Sequence, residues 1–315
     1  MKKILSIFMA LMLLCAVFAG CSSGEGENSS NASSGADGSS QSASGETSQT
    51  GTDFDSSKAI TVVSREAGSG TRGAFIELFG IEEEDEEGNK TDKTSEEAIQ
   101  LSSTQAVMSN IAGDEYAIGY VSLGSLNDTV KAVKIDGAEA TVDNINSGSY
   151  KVSRPFNIAT KGDPTGLTKD FIDFIMSKEG QEVIAEDYIS VDTEAAAYAG
   201  DKPSGSITVA GSSSVSPVME KLIEAYNAIN PNADIQMQTT DSSSGMQSAI
   251  DGSCDIGMAS RELKESESAE LTSTTIAIDG IAVIVNSANS VENLTSEQVK
   301  NIFTGASTTW ADVLG

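Results

Sequence analysis

Residues 64–75 read SREAGSGTRGAF and place two arginines, Arg65 and Arg72, around a Ser-Gly-Thr turn. Arginine side chains, hydroxyl groups and the backbone N–H groups of such turns are the donors with which proteins bind oxyanions. The chain as a whole is acidic, because 47 Asp and Glu residues outnumber 19 Lys and Arg residues and give a formal net charge of −28. An anion site must therefore depend on local donors, since about 0.1 M salt screens charges more than about 10 Å apart.

Three Ser- or Thr-containing loops share one position, between an apolar segment and a segment with helical periodicity. They are SGT at residues 69–71, GSSSVSP at residues 211–217 and DSSSGM at residues 241–246. Unpaired backbone N–H groups and the helix dipole favour an anion at a helix N-terminus. Each loop alone is also explained as helix capping, for which Ser and Thr are preferred. Together with ASRE at residues 259–262, the loops predict one anion site built from converging helix ends.

Apolar, Val- and Ile-rich segments alternate with helical segments through residues 58–315. This alternation predicts an α/β fold with mostly parallel sheets, and the length is enough for two domains. The predicted strands begin near Ile60, Tyr116, Pro155, Ser206, Asp234, Cys254 and Thr275. The loops that precede the helices then lie at strand ends, where they can meet.

The N-terminus is typical of an export signal. Lys2 and Lys3 precede an apolar run that is shorter than the roughly 20 residues needed to span a bilayer. The run ends in FAGC, which resembles a bacterial lipobox. Residues 1–20 are therefore predicted to be a lipoprotein signal peptide, and Cys21 the lipid-attachment site. An ordinary signal with an incidental cysteine is the alternative.

Residues 21–57 are almost entirely small, polar or acidic, and Phe54 is their only large apolar residue. Such a segment cannot bury enough apolar surface to offset its chain entropy. We therefore expect a disordered tether between the lipidated cysteine and the folded body.

Five longer motifs resemble the substrate-binding lipoproteins of bacterial ABC-type phosphate importers. They are SREAGSGTRGAF, GSITVAGSSSVSPVMEKL, DIGMASREL, IAIDGIAVIVN and NLTSEQVKNIFTG, and the resemblance covers nearly all of residues 59–315. It implies a two-lobed periplasmic-binding-protein fold of type II, with a mixed β-sheet flanked by helices in each lobe and the ligand between the lobes. It also implies a monomer without a cofactor that delivers inorganic phosphate to permease subunits, held at the outer face of the bacterial cell membrane by its lipid anchor alone.

The same resemblance assigns phosphate-binding positions in this sequence. They are Arg65, Ser69, Gly70, Thr71, Ser213, Ser214, Ser243, Ser244, Ser260 and Arg261. Some members of the family place an aspartate near the ASRE position to accept the proton of hydrogen phosphate, whereas this sequence has Ser-Arg there. Asp279 and Glu66 are the candidates for that role, and Asp279 is the one included in the predicted site. Either carboxylate can instead orient an arginine.

The order of the motifs departs from the usual family order, in which GSITVAGS comes first and SREAGSGTRGAF follows NLTSEQVKNIFTG. The sequence therefore predicts a circular permutation. One lobe would be discontinuous, with residues 59–151 and 281–315, and the other would be continuous, with residues 152–280. The two crossovers between them would form the hinge.

The permutation makes a geometric prediction. Lys58 and Gly315 should lie in the same lobe, roughly 20 Å apart or less, because extended chain covers at most about 3.3–3.6 Å per residue. The alternative is a fragment that needs a second copy to complete each lobe.

Other function classes find less support. The absence of histidine excludes a Ser-His-Asp triad, so a receptor that breaks no bond is favoured over a phosphoesterase with a serine nucleophile. The acidic composition and the lack of basic clusters argue against a nucleic-acid partner. The acidic run at residues 82–88 lacks the ligand spacing of a calcium-binding loop, and we expect no metal site. Sulfate or another tetrahedral oxyanion stays an alternative ligand.

Overall fold

The computed structural model describes residues 54–85 and 89–315, which belong to one compact unit spanning Thr52–Gly315. The predicted signal peptide, Cys21, residues 21–53 of the predicted tether and residues 86–88 of the acidic run lie outside the described residues. Within the described part, none of the helices has the length and apolar character needed to cross a membrane.

Strands and helices alternate along the described chain. The strands are β1 (Thr61–Arg65), β2 (Glu82–Glu84), β3 (Lys90–Asp92), β4 (Ile99–Leu101), β5 (Ala117–Ser122), β6 (Val130–Ala132), β7 (Lys134–Ile135), β8 (Ser153–Thr160), β9 (Ile189–Ser190), β10 (Gly205–Ser212), β11 (Ala233–Thr240), β12 (Ile256–Ala259), β13 (Thr272–Asn286) and β14 (Asn293–Leu294). The helices are α1 (Gly70–Leu78), α2 (Thr104–Gly113), α3 (Val142–Asn146), α4 (Gly166–Ile175), α5 (Lys178–Ile184), α6 (Ser216–Ile229), α7 (Ser242–Asp251), α8 (Glu265–Ser268), α9 (Ser296–Phe303) and α10 (Trp310–Leu314). The predicted α/β alternation is therefore present.

The main sheet is mixed. Its strand order is β11–β10–β12–β8–β13–β5–β1–β4, and β6 and β9 also pair with β13. β10 is parallel to β11 and β12, and β1 is parallel to β4 and β5. In the middle of the sheet, β8 is antiparallel to β12 and β13, and β13 is antiparallel to β5. The expectation of mostly parallel sheets is corrected here, because β8 and β13 carry the chain between the two halves in opposite directions.

The long strand β13 joins the two halves of the sheet. Through Gly280 it pairs with β8, and from Ile281 onward it pairs with β5. Ser153, the first residue of β8, lies opposite Gly280. The chain therefore crosses between the halves twice at the same place. We call residues 54–151 and 281–315 lobe A, and residues 152–280 lobe B.

Each lobe has its own apolar core. In lobe A the Phe75 and Tyr120 rings stack with centroids 3.8 Å apart, and Phe303 packs edge-on against Phe75 at 4.7 Å. In lobe B the Phe171 ring packs against Tyr226 at 5.2 Å. All five side chains are buried, and such aromatic pairs stabilise a core beyond the area they bury. Each lobe thus positions the loops at its strand ends independently.

The folded body begins before the predicted end of the tether at residue 57. The Phe54 ring lies against Tyr116 and Trp310, with centroids 5.3 and 6.0 Å away. The Ala311 N–H donates to the Ser56 carbonyl at 2.7 Å. Residues 54–57 therefore belong to the folded body, because Phe54 finds aromatic partners that are distant in sequence.

The first described residues and the last helix lie side by side in lobe A. The Trp310 N–H donates to the Lys58 carbonyl at 3.3 Å, and Ala59 and Thr309 form an antiparallel bridge. Gly315 follows Trp310 by five residues along α10, which cover roughly 8 Å at the helical rise of about 1.5 Å per residue. Lys58 and Gly315 are therefore as close as the sequence predicts.

Candidate functional site

Arg65 is the last residue of β1, and only 2% of its surface is exposed. Its backbone N–H donates to the Tyr120 hydroxyl at 3.2 Å, and its carbonyl accepts from the Arg72 guanidinium at 2.6 Å. The two carboxylate oxygens of Glu66 accept from Arg65 Nε and Nη2 at 2.9 and 2.8 Å. A bidentate pair fixes the plane of the guanidinium. In this structure Glu66 thus orients an arginine, which is one of the two roles that the sequence leaves open.

The first two predicted loops meet across the cleft between the lobes. Arg65 Nη2, from lobe A, donates to Ser213 Oγ of lobe B at 3.1 Å. The hydroxyl oxygens of Thr71, in the first turn of α1, and Ser214 lie 2.8 Å apart. Ser213 and Ser214 follow β10 and precede α6. The N-terminal ends of α1 and α6 therefore face each other, and the lobes are closed.

Three serines of lobe B meet through their polar groups. Ser212 Oγ donates to Ser260 Oγ at 2.9 Å, and the Ser260 N–H donates to Ser242 Oγ at 3.1 Å. All three residues are buried. The contact arises because β10 and β12 are parallel neighbours, so that their C-terminal ends meet at one edge of the sheet. This edge places Ser260 beside the loop that carries Ser213 and Ser214.

Gly70, the first residue of α1, lies so close to lobe B that a side chain would not fit. A Cβ atom at this position would lie 2.4 Å from Ser242 Oγ and 2.8 Å from Ser260 Oγ. Nearby, the Ser243 N–H donates to the Gly68 carbonyl at 3.2 Å, which is a direct backbone hydrogen bond between the lobes. The sequence thus places a glycine at a point where the two lobes approach closely.

Ser69, Ser243 and Arg261 occupy the edge of this cluster. Ser69 caps α1, and its hydroxyl accepts the Arg72 N–H at 3.3 Å. Arg261 pairs with the two carboxylate oxygens of Glu267 at 2.7 and 2.8 Å and donates to Ser243 Oγ at 3.2 Å. Although burial acts to raise the pKa of Glu267, the hydrogen bonds from Arg261 hold it below its ordinary value. Arg261 is thus directed toward Glu267 and Ser243 rather than toward the buried serines.

Ser244, which the sequence predicts as a phosphate-binding residue, does not join the cluster in this structure. Its side chain is exposed, and both its hydroxyl and its N–H donate to Asp241, at 2.6 and 2.9 Å. Asp241 caps α7, so Ser244 belongs to the helix cap. Two residues along a helix turn a side chain by about 200°, which is why Ser242 faces the cleft instead.

Asp279 lies at the crossover between the lobes, and its carboxylate, predicted to accept the ligand's proton, is bound here to other protein groups. Its Oδ2 accepts from Arg154 Nε and Nη2 at 3.3 and 3.0 Å, and its Oδ1 accepts from Ser122 Oγ at 3.0 Å. Burial raises the pKa of Asp279 to about 6, because desolvation outweighs the attraction of Arg154. Both carboxylate oxygens therefore bind groups beside the crossovers, one from each lobe.

The raised pKa of Asp279 predicts an unusual pH dependence of stability. The folded state holds this proton more tightly than the unfolded state, so the group favours folding increasingly as the pH falls from about 6 toward the ordinary value of 3.8. From pH 7 to pH 5, we expect the parent to gain roughly 1 kcal/mol in unfolding free energy relative to Asp279→Asn. Urea unfolding at both pH values measures this, with the exposed Asp163→Asn as control. An equal difference in unfolding free energy between the parent and Asp279→Asn at both pH values would contradict this prediction.

All four arginines of the sequence lie at the cleft or at the crossovers between the lobes, and each is paired with a carboxylate. The pairs are Arg65–Glu66, Arg72–Asp92, Arg154–Asp279 and Arg261–Glu267. The positive charge of each arginine is therefore balanced locally by a carboxylate. Its donors are arginine N–H groups, serine and threonine hydroxyls and the first backbone N–H groups of helices.

Sequence reasoning missed three hydroxyls of the cluster, those of Ser212, Ser242 and Thr104. Ser212 and Ser242 stand directly beside the assigned positions. Thr104 begins α2, and its Oγ1 lies 3.2 Å from Ser214 Oγ. The signal for Thr104 is the SST sequence at residues 102–104, which separates an apolar segment from a helical one as in the other loops.

The arrangement is suited to holding a tetrahedral oxyanion. Hydroxyls, a guanidinium and helix N-termini offer hydrogen-bond donors from several directions. Within residues 54–85 and 89–315, no group of three or more Cys, Asp or Glu side chains is arranged to hold a metal ion. The sequence also contains no histidine to deprotonate a serine hydroxyl.

Comparison with known protein families gives one extended match. A family model described as PBP superfamily domain matches residues 40–179 and 196–315. Phosphate-binding protein PstS 2 of Streptococcus agalactiae is 56% identical over 257 residues, which cover 81% of this chain and 87% of that protein. Phosphate-binding protein PstS of Staphylococcus saprophyticus is 36% identical over 120 residues, which cover 36% of this chain and 38% of that protein.

A solved structure shares the fold. The crystal structure of a phosphate ABC transporter, phosphate-binding protein from Streptococcus pneumoniae is 44% identical, with a TM-score of 0.65, and the match covers 81% of this chain and 100% of that one. Together with the family match, this confirms the predicted two-lobed periplasmic-binding-protein fold.

Proposed function

We propose that this chain, which belongs to the PBP superfamily domain family and is a relative of the PstS phosphate-binding proteins, captures inorganic phosphate and delivers it to an ABC-type importer. The observation that carries the proposal is the contact of Arg65 and Thr71 of lobe A with Ser213 and Ser214 of lobe B. An oxyanion bound by both sets of donors links the lobes. Phosphate would thereby stabilise the closed form, which is the form that an importer can distinguish from the open one.

The proposed phosphate-binding residues are those of the buried cluster. They are Arg65, Gly70, Thr71, Ser213, Ser214, Ser242 and Ser260, with Ser69, Ser243 and Arg261 at the edge. Hydrogen bonds between an ionised donor and a phosphate oxygen are about twice as strong as neutral ones, so Arg65 provides the largest single contribution. Gly70 contributes through its backbone, because the helix N-terminus points at the cluster.

We propose a receptor rather than a phosphoesterase. A serine nucleophile needs a neighbouring base, and the hydroxyls of Ser212, Ser214 and Ser260 lie 2.8 to 2.9 Å from other hydroxyls. Incubation of the purified protein with a chromogenic phosphoester separates the two functions. We expect no release of the chromophore, and turnover that is lost in Ser214→Ala would contradict the receptor function.

The ligand itself is tested by calorimetric titration of the purified protein with phosphate and, separately, with sulfate. We expect one phosphate to bind per chain. Binding of sulfate without phosphate would assign a different oxyanion to the cleft, and binding of neither would contradict the proposed function.

The place of action follows from the importer function. We propose that the protein works on the outer face of the cell membrane, attached through a lipid on Cys21. The support is the lipobox-like FAGC sequence after a basic and apolar start. Labelling with a radioactive fatty acid tests the attachment, since the parent should carry the label and Cys21→Ser should not.

We propose that the motif order is a circular permutation and that a single chain forms the phosphate site. Support comes from the hydrogen bond between Lys58 and Trp310 and from the cluster being formed by one chain. The alignment lengths also support a permutation. One continuous alignment spans most of the Streptococcus agalactiae relative, but only 120 residues of the Staphylococcus saprophyticus relative align. Two chains with their halves in opposite order can align over only one half at a time. Light scattering tests this proposal, because phosphate should bind the monomer and not only a swapped dimer.

A further inference from the structure

Thr104 lies among three residues of the proposed phosphate site although no motif assigns it. Its Oγ1 is 3.2 Å from Ser214 Oγ and 3.5 Å from Ser213 Oγ, and it accepts from Arg65 Nη1 at 3.4 Å. We propose that the Thr104 hydroxyl is a further phosphate-binding group. The proposal rests on the proposed function and adds α2 to the helices that form the cleft.

The local structure leaves this hydroxyl available for a ligand. The N-cap of α2 is Ser103, whose hydroxyl accepts the Ala106 N–H at 3.2 Å. Thr104 is therefore not required to cap its own helix. Its side chain is 5% exposed, and the partners around its oxygen are proposed ligand-binding groups. Packing of α2 alone would not require the Thr104 hydroxyl to contact these ligand-binding groups.

Thr104 makes the two lobes contribute equal numbers of helix N-termini to the site. Lobe B contributes the N-terminal ends of α6 and α7, and lobe A contributes that of α1. With Thr104, lobe A also contributes a second helix N-terminus, that of α2. A hydroxyl both donates and accepts a hydrogen bond, so it can bind either an oxygen or the proton of hydrogen phosphate. This matters because Glu66 and Asp279, the two carboxylates considered for that proton, are engaged with Arg65 and Arg154.

The test removes the hydroxyl and keeps the shape. Thr104→Val should weaken phosphate binding roughly 10- to 100-fold in calorimetry, because a hydrogen bond to a charged group is lost. Thr104→Ser should bind within about threefold of the parent, since it restores the hydroxyl. Thr160→Val is the matched control. Thr160 is also buried, and its hydroxyl donates to the Gly162 carbonyl at 3.0 Å in lobe B.

The outcomes separate this inference from the proposed function. Phosphate binding to Thr104→Val within about threefold of the parent overturns the inference and leaves the function intact. A parent that binds no phosphate overturns both. Thermal melting of each variant checks folding, and Thr104→Ala replaces Thr104→Val in the comparison if the valine variant does not fold. An equal loss in Thr160→Val would show a general effect on folding and would also overturn the inference.

Discussion

Arg65→Ala should weaken phosphate binding by about 2–5 kcal/mol, which is the cost of removing one partner of a buried, hydrogen-bonded charge pair. Arg65 is the buried cation that reaches Ser213 across the cleft, and Glu66 holds it in place. The expected loss corresponds to at least about 30-fold in the dissociation constant. Calorimetric titration of the parent and the variant with phosphate measures it.

Arg72→Ala is the matched control for this prediction. Arg72 is also buried and paired, with Asp92 at 2.8 Å, but its guanidinium donates to the Arg65 carbonyl rather than to a group of lobe B. We therefore expect a smaller loss of affinity, about tenfold or less, through the changed position of Arg65. If Arg72→Ala abolishes binding while Arg65→Ala binds like the parent, the roles of the two arginines are reversed.

Gly70→Ala should weaken phosphate binding by about 1–3 kcal/mol, the usual cost of forcing an extra group into a packed site. Its Cβ atom would lie 2.4 Å from Ser242 Oγ and 2.8 Å from Ser260 Oγ, so lobe A could not close on lobe B as it does here. The stability of lobe A itself should change little, because the clash is between lobes. Titration with phosphate and thermal melting without it distinguish the two effects.

Gly73→Ala provides the comparison on the same helix. A Cβ atom at Gly73 would have Arg261 Cδ as its nearest neighbour, at 3.7 Å, which is an ordinary contact. Alanine in a helix interior also costs less than glycine. We expect Gly73→Ala to bind phosphate like the parent. An equal loss of phosphate affinity in both variants would show that the close contact of Gly70 with lobe B does not cause the loss.

The sequence was sufficient to predict the loops that meet in the cleft. An apolar strand, a Ser- or Thr-rich loop and an amphipathic helix follow one another at Ser69, Ser213 and Ser243, and in parallel strands such loops meet at one sheet edge. The same pattern precedes Thr104. The signal is weaker there, because β4 has only three residues, of which two are apolar.

Other features depend on contacts that no local pattern contains. The rotation that directs Ser242 rather than Ser244 into the cleft depends on where α7 begins, and a shift of two residues reverses it. Asp279 pairs with Arg154 only because β8 and β13 cross side by side between the lobes. The sequence places Phe54 in a polar tether, because its contact with Trp310 joins residues that are far apart in the chain.

Enclosure of phosphate between the two lobes of one chain is tested most directly by a crystal structure of the protein with phosphate. We predict phosphate oxygens about 2.7–3.2 Å from the Arg65 guanidinium and the hydroxyls of Thr71 and Ser214, all from the same chain. Phosphate bound outside this cleft, or completed by residues of a second copy, would contradict the account.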